Sequence, residues 1–317
     1  MKYQSKSKSK TKKVLKFVKK HGFLILLCFN IAMASFVAGV FVDQKVVGKR
    51  GTTVANSPKS DIDLTKLQEK VLSASGYTFK IKWGDLGQRM IQDGVIDEKK
   101  LAQAVSGQDQ LPPEFKKYFD SSDPQQIELT QANAHFWVDV LWGLGLANKS
   151  VILDKGPMVE GGKAANFAST GGWTLGRKQP MQVYSKFSYT NLTPEQESIV
   201  QEIAGNIYRP CCGNSTAFPD CNHGMAALGL VELMVSQGFS KEDIYKTILA
   251  FNAYWFPKTY LDISYHFAKN GKDYTKVSAQ EILSKTFSSA MGYSAIKNQV
   301  GTIEWPLLKQ SGGGCGA

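Results

Sequence analysis

The strongest constraint in this chain is the run GFLILLCFNIAMASFVAGVFV, Gly22 to Val42, which carries no charged residue over 21 positions. As an α-helix it would span about 31 Å, close to the hydrocarbon thickness of a bilayer. Nine lysines and no acidic residue lie in the first twenty positions. Positive charge on that flank holds the N-terminus in the cytoplasm and sends the remainder of the chain outward. The sequence therefore predicts a cell-membrane protein with a single transmembrane helix, its partner being the membrane itself through Gly22–Val42. A signal peptide cut after Ala34 is the competing reading, but FVAGVFV prolongs the apolar run past that point, so an uncleaved anchor is expected. Cys28 comes after the bulky Leu27 and reads as a small apolar residue of the anchor rather than as a lipid-attachment site.

The basic tail also accounts for the charge. The formal charge is +11, from 38 basic and 27 acidic residues. Without the nine tail lysines, 29 basic residues face 27 acidic ones, and no nucleic-acid partner is expected. The expected organisation is a basic cytoplasmic tail (1–21), a transmembrane helix (22–42), a flexible linker (43–61), a mainly α-helical extracytoplasmic domain (62–310) and a Gly/Cys tail (311–317).

Within the domain, helix signals dominate. Asp97 begins a capped helix, DEKKLAQAV. Thr193-Pro194-Glu195-Gln196 is a capping box with proline at the first helical position, expected to launch a helix to about Tyr208. Ser240-Lys241-Glu242-Asp243 and Ser278-Ala279-Gln280-Glu281 carry similar chemistry. Ile127 to Asn148 reads as one long, buried helix. Leu153 to Pro180 is glycine-rich without helical period, and MQVYSKFSY after it alternates like a strand; a loop or a small β-hairpin is expected there. No GxxxxGK[ST] or GxGxxG pattern occurs, so no nucleotide is expected.

The chemistry concentrates in RPCCGNSTAFPDCNHG, Arg209 to Gly224, which holds three of the five cysteines and one of the four histidines. The next stretch, MAALGLVELMVSQG, reads as a helix, placing Cys221 and His223 at its N-terminus, where free N–H groups favour a thiolate. Asp220 and Asn222 read as capping residues there, and Arg209 as either a thiolate-stabilising or a solvated charge.

Three functions fit this cluster. Thiolates and imidazole suit a soft metal ion, zinc or copper, with Cys211, Cys212, Cys221 and His223 as leading ligands and Cys315, His266 and His135 as accessory ones. The same cysteines, with Cys315 on a glycine-rich tail, suit a thiol–disulfide oxidoreductase. Exported cysteines also serve as plain disulfide staples of a structural or interaction module. Metal binding or handling is preferred, with the delivery partner unassigned. Adjacent cysteines tend to point apart, so a site of two or three protein ligands is as compatible with the spacing as a closed set of four.

Other constellations are less specific. His135 with Asp139, and Asp262 with His266, stand four apart and would each share a helix face; two such pairs on facing helices would build a carboxylate–histidine site. Cys221 with His135 or His266 would form a nucleophile and its base, without any local signature. Asn133 and Asn252 are amides in apolar surroundings that need partners, and the run Phe251 to Pro257 reads as a helix end packed into the core.

Overall fold

A computed structural model describes residues 62–120, 125–306 and 308. The basic tail, Gly22–Val42, the 43–61 linker, Cys28, Cys315 and the 311–317 tail lie outside the described residues. Among the described residues no helix is long and apolar enough to cross a membrane.

The described part is mainly helical. Helices of seven residues or more are α1 (Leu64–Val71), α2 (Leu86–Gln92), α3 (Glu98–Ser106), α4 (Pro113–Asp120), α5 (Ala134–Ala147), α6 (Pro194–Gly205), α7 (Asn222–Ser236), α8 (Lys241–Trp255), α9 (Pro257–Lys269) and α10 (Ala290–Val300). They start where local chemistry says they should. Asp97 accepts from Lys100 N–H, Thr193 and Gln196 form the reciprocal box, and Ser240 accepts from Asp243 N–H. Pro257 stands at the start of α9, so α8 ends in the aromatic run and the chain turns.

The centre of the domain is the pair α5 and α7. Every residue of α5 except His135 is buried. Two glycines let the two backbones touch: a Cβ on Gly145 would lie 2.1 Å from Met225 O, and one on Gly229 would lie 2.6 Å from Gly145 N. Such a contact maximises dispersion between two apolar helices and admits no larger side chain.

Three expectations need correction. The long helix predicted from Ile127 begins only at Ala134, because Gln126–Leu129 is a strand, β2, paired antiparallel with β1 (Tyr77–Lys82). Phe79 faces Ile127 and Tyr77 faces Leu129, with an irregularity between Phe79 and Lys82. Asn133 separates strand from helix: its Oδ1 accepts from Thr130 N–H at 2.7 Å and its amide donates to Glu128 O at 2.9 Å. The glycine-rich section forms no hairpin either. It folds as short helical turns, at Pro157–Gly162, Ala164–Asn166, Ala168–Gly171 and Pro180–Val183, and a single bridge joins Asn148 to Phe187. Indole groups pin it in place of strand pairing, Trp173 Nε1 donating to Val95 O at 3.0 Å and Trp142 Nε1 to Ser169 O at 2.7 Å. Helix α6 also stops at Gly205, short of the expected Tyr208.

One acid is buried inside this core. Glu232 on α7 is 0% exposed and accepts from Asn148 Nδ2 at 2.7 Å. Burial pushes its carboxyl up to about 8, against the opposing pull of Ser150 and Asn148. The unfolded chain releases this proton near pH 4.5 while the folded protein holds it to about 8, so folding stability falls as pH rises through that window. Glu232→Gln is expected to remove this fall. Denaturant unfolding at several pH values between those limits checks it; parallel wild-type and variant profiles would contradict it.

Candidate thiol-rich site

The segment 207–221 is a loop tied down on several sides. Thr216 N–H donates to Ile207 O at 2.8 Å, Tyr208 N–H to Leu283 O at 2.8 Å, and Ala290 N–H to Cys212 O at 3.0 Å. Asn252 on α8 donates to Tyr208 O at 3.2 Å and to Tyr260 Oη at 3.0 Å, so this amide holds the chain entering the cysteines. Ser169 N–H donates to Asp220 O at the far end.

Cys221 is the N-cap of α7, and its sulfur faces Gly224 N–H at 3.4 Å. Neither flanking residue caps the helix as expected. Asp220 instead pairs with Arg209 at 2.9 Å and accepts from Asn214 Nδ2 at 2.8 Å, and Asn222 Oδ1 accepts from His223 N–H.

Arg209 is the centre of the site rather than a solvated charge. It is 0% exposed. Its Nε donates to Cys221 Sγ at 3.1 Å, one terminal nitrogen to Asn214 O at 3.1 Å, and the other to Asp220 Oδ1 and to Phe218 O at 3.3 Å. The guanidinium lies flat against Gly224, where a Cβ would sit 2.2 Å from a terminal nitrogen and 2.3 Å from Cζ. Glycine is disfavoured in the first turn of a helix unless something needs the space; here the arginine does.

The three sulfurs converge. The Sγ atoms of Cys211, Cys212 and Cys221 all lie within 4.8 Å of one another, and Cys211 and Cys221 are 3.4 Å apart. All three are free, half-buried thiols. They do not share protons equally. Hydrogen bonds from the Cys211 and Cys212 thiols, aided by the Arg209 charge, hold Cys221 well below the ordinary thiol range despite its burial. The bonds that serve Cys221 tax its neighbours. Cys211 is raised far up by its contacts with Cys212 and Cys221; Cys212 is lowered by Cys211 but raised more by Cys221 and burial together, to about 11. The arrangement favours Cys221 as the sulfur that ionises first, with the other two thiols facing it. Among the described residues no hydrogen bond joins the Cys221 sulfur to an imidazole, although the Cys221 charge acts on the His223 ring.

His223 stands beside the sulfurs without joining their set. Its Nδ1 lies 2.9 Å from Asn222 Oδ1, an acceptor, which makes Nδ1 the protonated nitrogen and leaves Nε2 with its lone pair. The ring packs on Phe256 at 4.5 Å and Trp255 at 5.6 Å, so part of the aromatic run forms a wall of this site. Burial pushes its pKa down to about 4. The imidazole is neutral at ordinary pH.

Of the other predicted residues, His135 lies near enough for its charge to act on His223 and on Asp139, and among the described residues none joins the three sulfurs. His135 is exposed on α5, and Asp139 one turn on is 2% exposed; no hydrogen bond joins them among the described residues. Burial raises Asp139 to about 6, partly offset by the nearby His135. Asp262 does not pair with His266. It accepts instead from Tyr293 Oη at 2.9 Å, Trp305 Nε1 at 2.9 Å and Lys297 Nζ at 3.3 Å, fastening the C-terminal segment to α9. His266 packs against Phe267 and Phe287. Among the described residues the only cluster of metal-ligating side chains is the three-cysteine one, so the two histidine–carboxylate pairs build no common site.

Gly224, Asn214 and the pairing of Asp220 with Arg209 had no reading in the sequence. A glycine in the first turn after a cysteine N-cap was the available signal. No family model, curated protein or solved structure matches this chain.

Proposed function

We propose that this chain is a membrane-anchored protein whose helical domain, outside the cytoplasm, binds or handles a soft metal ion, zinc or copper, through Cys211, Cys212 and Cys221. The supporting observation is the convergence of three sulfurs within 4.8 Å of one another. Thiolates are the ligands such ions prefer, and each thiol that binds must give up its proton. Cys221 is already the most acidic of the three, so it offers the first bond. His223 is the sequence's leading candidate for a fourth ligand, and its Nε2 keeps its lone pair; Cys315, His266 and His135 remain accessory candidates from the sequence. The anchor is Gly22–Val42, and no nucleotide or nucleic acid enters this reading. The role is handling rather than catalysis, since among the described residues no acid–base pair is hydrogen-bonded to the sulfurs.

Titration of the reduced full-length protein in detergent with zinc or copper(I) is expected to give one ion per chain. Cys211→Ser with Cys212→Ser is expected to abolish that binding, with a Cys28→Ser variant as control. Unchanged binding in the first variant would sink the proposal.

A second reading has one specific observation behind it. Cys211 and Cys221 stand 3.4 Å apart with Cys221 the favoured thiolate. Cys221 would attack an external disulfide, and Cys211 would resolve the mixed disulfide, leaving a Cys211–Cys221 bond and a reduced partner. Thiol trapping across a glutathione series separates the readings: a reversible Cys211–Cys221 pair in a protein that takes up no metal favours exchange.

A further inference from the structure

The donor set and the charges around it narrow what the cysteines would hold. Among the described residues, no carboxylate or imidazole joins the three sulfurs within 4.8 Å. Structural zinc takes four ligands, and a three-donor site leaves one position to be filled by something else. The charge is also constrained. The guanidinium of Arg209, 0% exposed, donates to Cys221 Sγ at 3.1 Å but pairs with Asp220 at 2.9 Å, so the pair adds no net charge and the balance of a loaded site is that of three thiolates and the ion. A monovalent or divalent ion leaves a tri-thiolate complex anionic in this half-buried position, whereas a trivalent centre leaves it neutral, and uncompensated charge is expensive away from water.

We infer that the three-cysteine site is a receptor for the trivalent hydroxides of arsenic and antimony, bound through Cys211, Cys212 and Cys221. This rests on the soft-ion reading above and specifies its ligand. A trivalent arsenic or antimony atom forms three bonds in a pyramid, with a lone pair on its fourth side. It therefore needs three sulfurs on one side and no fourth donor. The half-buried sulfurs of Cys211, Cys212 and Cys221 lie within 4.8 Å of one another, close enough for one such atom, and the cluster does not include His223. The binding step balances without an oxidant: three thiols and one As(OH)3 give As(SR)3 and three waters. Three As–O bonds break, three As–S bonds form, each thiol proton leaves in a water molecule, and arsenic stays trivalent throughout.

The test is native mass spectrometry of the reduced full-length protein released from detergent, after one equivalent of arsenite, with parallel zinc and copper(I) titrations. The expected result is a mass gain of one arsenic atom less three hydrogens, retained in the Cys28→Ser variant. Loss of one sulfur in Cys212→Ser is expected to weaken arsenite binding by at least about 100-fold, more than loss of an outer-sphere partner costs. Circular dichroism checks that this variant is folded, and the wild-type mass gain stands without it. A gain that retains a hydroxide with only two hydrogens lost, or zinc or copper(I) binding without arsenite binding, would overturn the inference while leaving the soft-ion reading intact. If none of the three binds, both fall.

Discussion

Arg209→Gln is expected to cost about 3 kcal/mol of folding stability and to raise the Cys221 thiol toward its ordinary range. The arginine is wholly buried and its charge faces Asp220 at 2.9 Å and Cys221 Sγ at 3.1 Å. Removing one partner of such a pair leaves the other charge with only dipoles around it, which is the costly way to break a buried ion pair. Asp220 retains 20% exposure, which keeps the cost near the lower end of that range. The signs for the thiol are definite. Cys221 loses a charge-assisted donor and the nearest positive charge, leaving the helix N-terminus and two thiols to stabilise it. Thiolate absorbance measured against pH reads this directly, and thermal unfolding reads the stability. Gly224→Ala approaches the same end by another route, since its Cβ would displace the guanidinium. Titration of Cys221 unchanged in both variants would show that Arg209 is only a structural plug.

The second large effect lies in the core. Gly145→Ala is expected to destabilise by about 3 kcal/mol or more, at the upper end of what overpacking costs. The added Cβ would meet the backbone oxygen of Met225 at 2.1 Å, and backbone cannot swing aside as a side chain does. Relief requires α5 and α7 to part, which disturbs the N-terminal turn of α7 that carries Cys221. Gly205→Ala is the matched control, because nothing lies within 4 Å of its Cβ position and alanine favours a helix. Urea unfolding of both variants checks the contrast. Equal stability of the two would show that the glycine contact is not what sets the helix spacing.

The parts of this molecule that sequence reveals are those decided within a few residues. Asp97, Thr193, Ser240 and Ser278 each accept from a backbone N–H three residues on, and such caps are legible because donor and acceptor are near neighbours in the chain. Cys221 at a helix start was legible for the same reason. What failed was decided at a distance. Gln126–Leu129 is a strand paired with Tyr77–Lys82; its own Gln-Ile-Glu-Leu alternation is a local signal, but four residues long and overshadowed by the apolar run that follows. The glycine-rich section lies where Trp142 and Trp173 find carbonyl partners, in place of forming its own hairpin. Asp262 and His266 have helical spacing, yet the acid found Tyr293, Lys297 and Trp305 instead. The candidate site divides along the same line. The three cysteines could be named from spacing, but the burial of Arg209 against Gly224 depends on the loop closing on itself, and with it the choice of which sulfur ionises.

The most direct test of the central claim is X-ray absorption at the metal edge, on the full-length protein carrying one equivalent of zinc. The account predicts a first shell with three sulfurs at about 2.3 Å, losing one in each of Cys211→Ser, Cys212→Ser and Cys221→Ser. A shell of oxygen and nitrogen alone, or a sulfur count that none of these three substitutions changes, would contradict it.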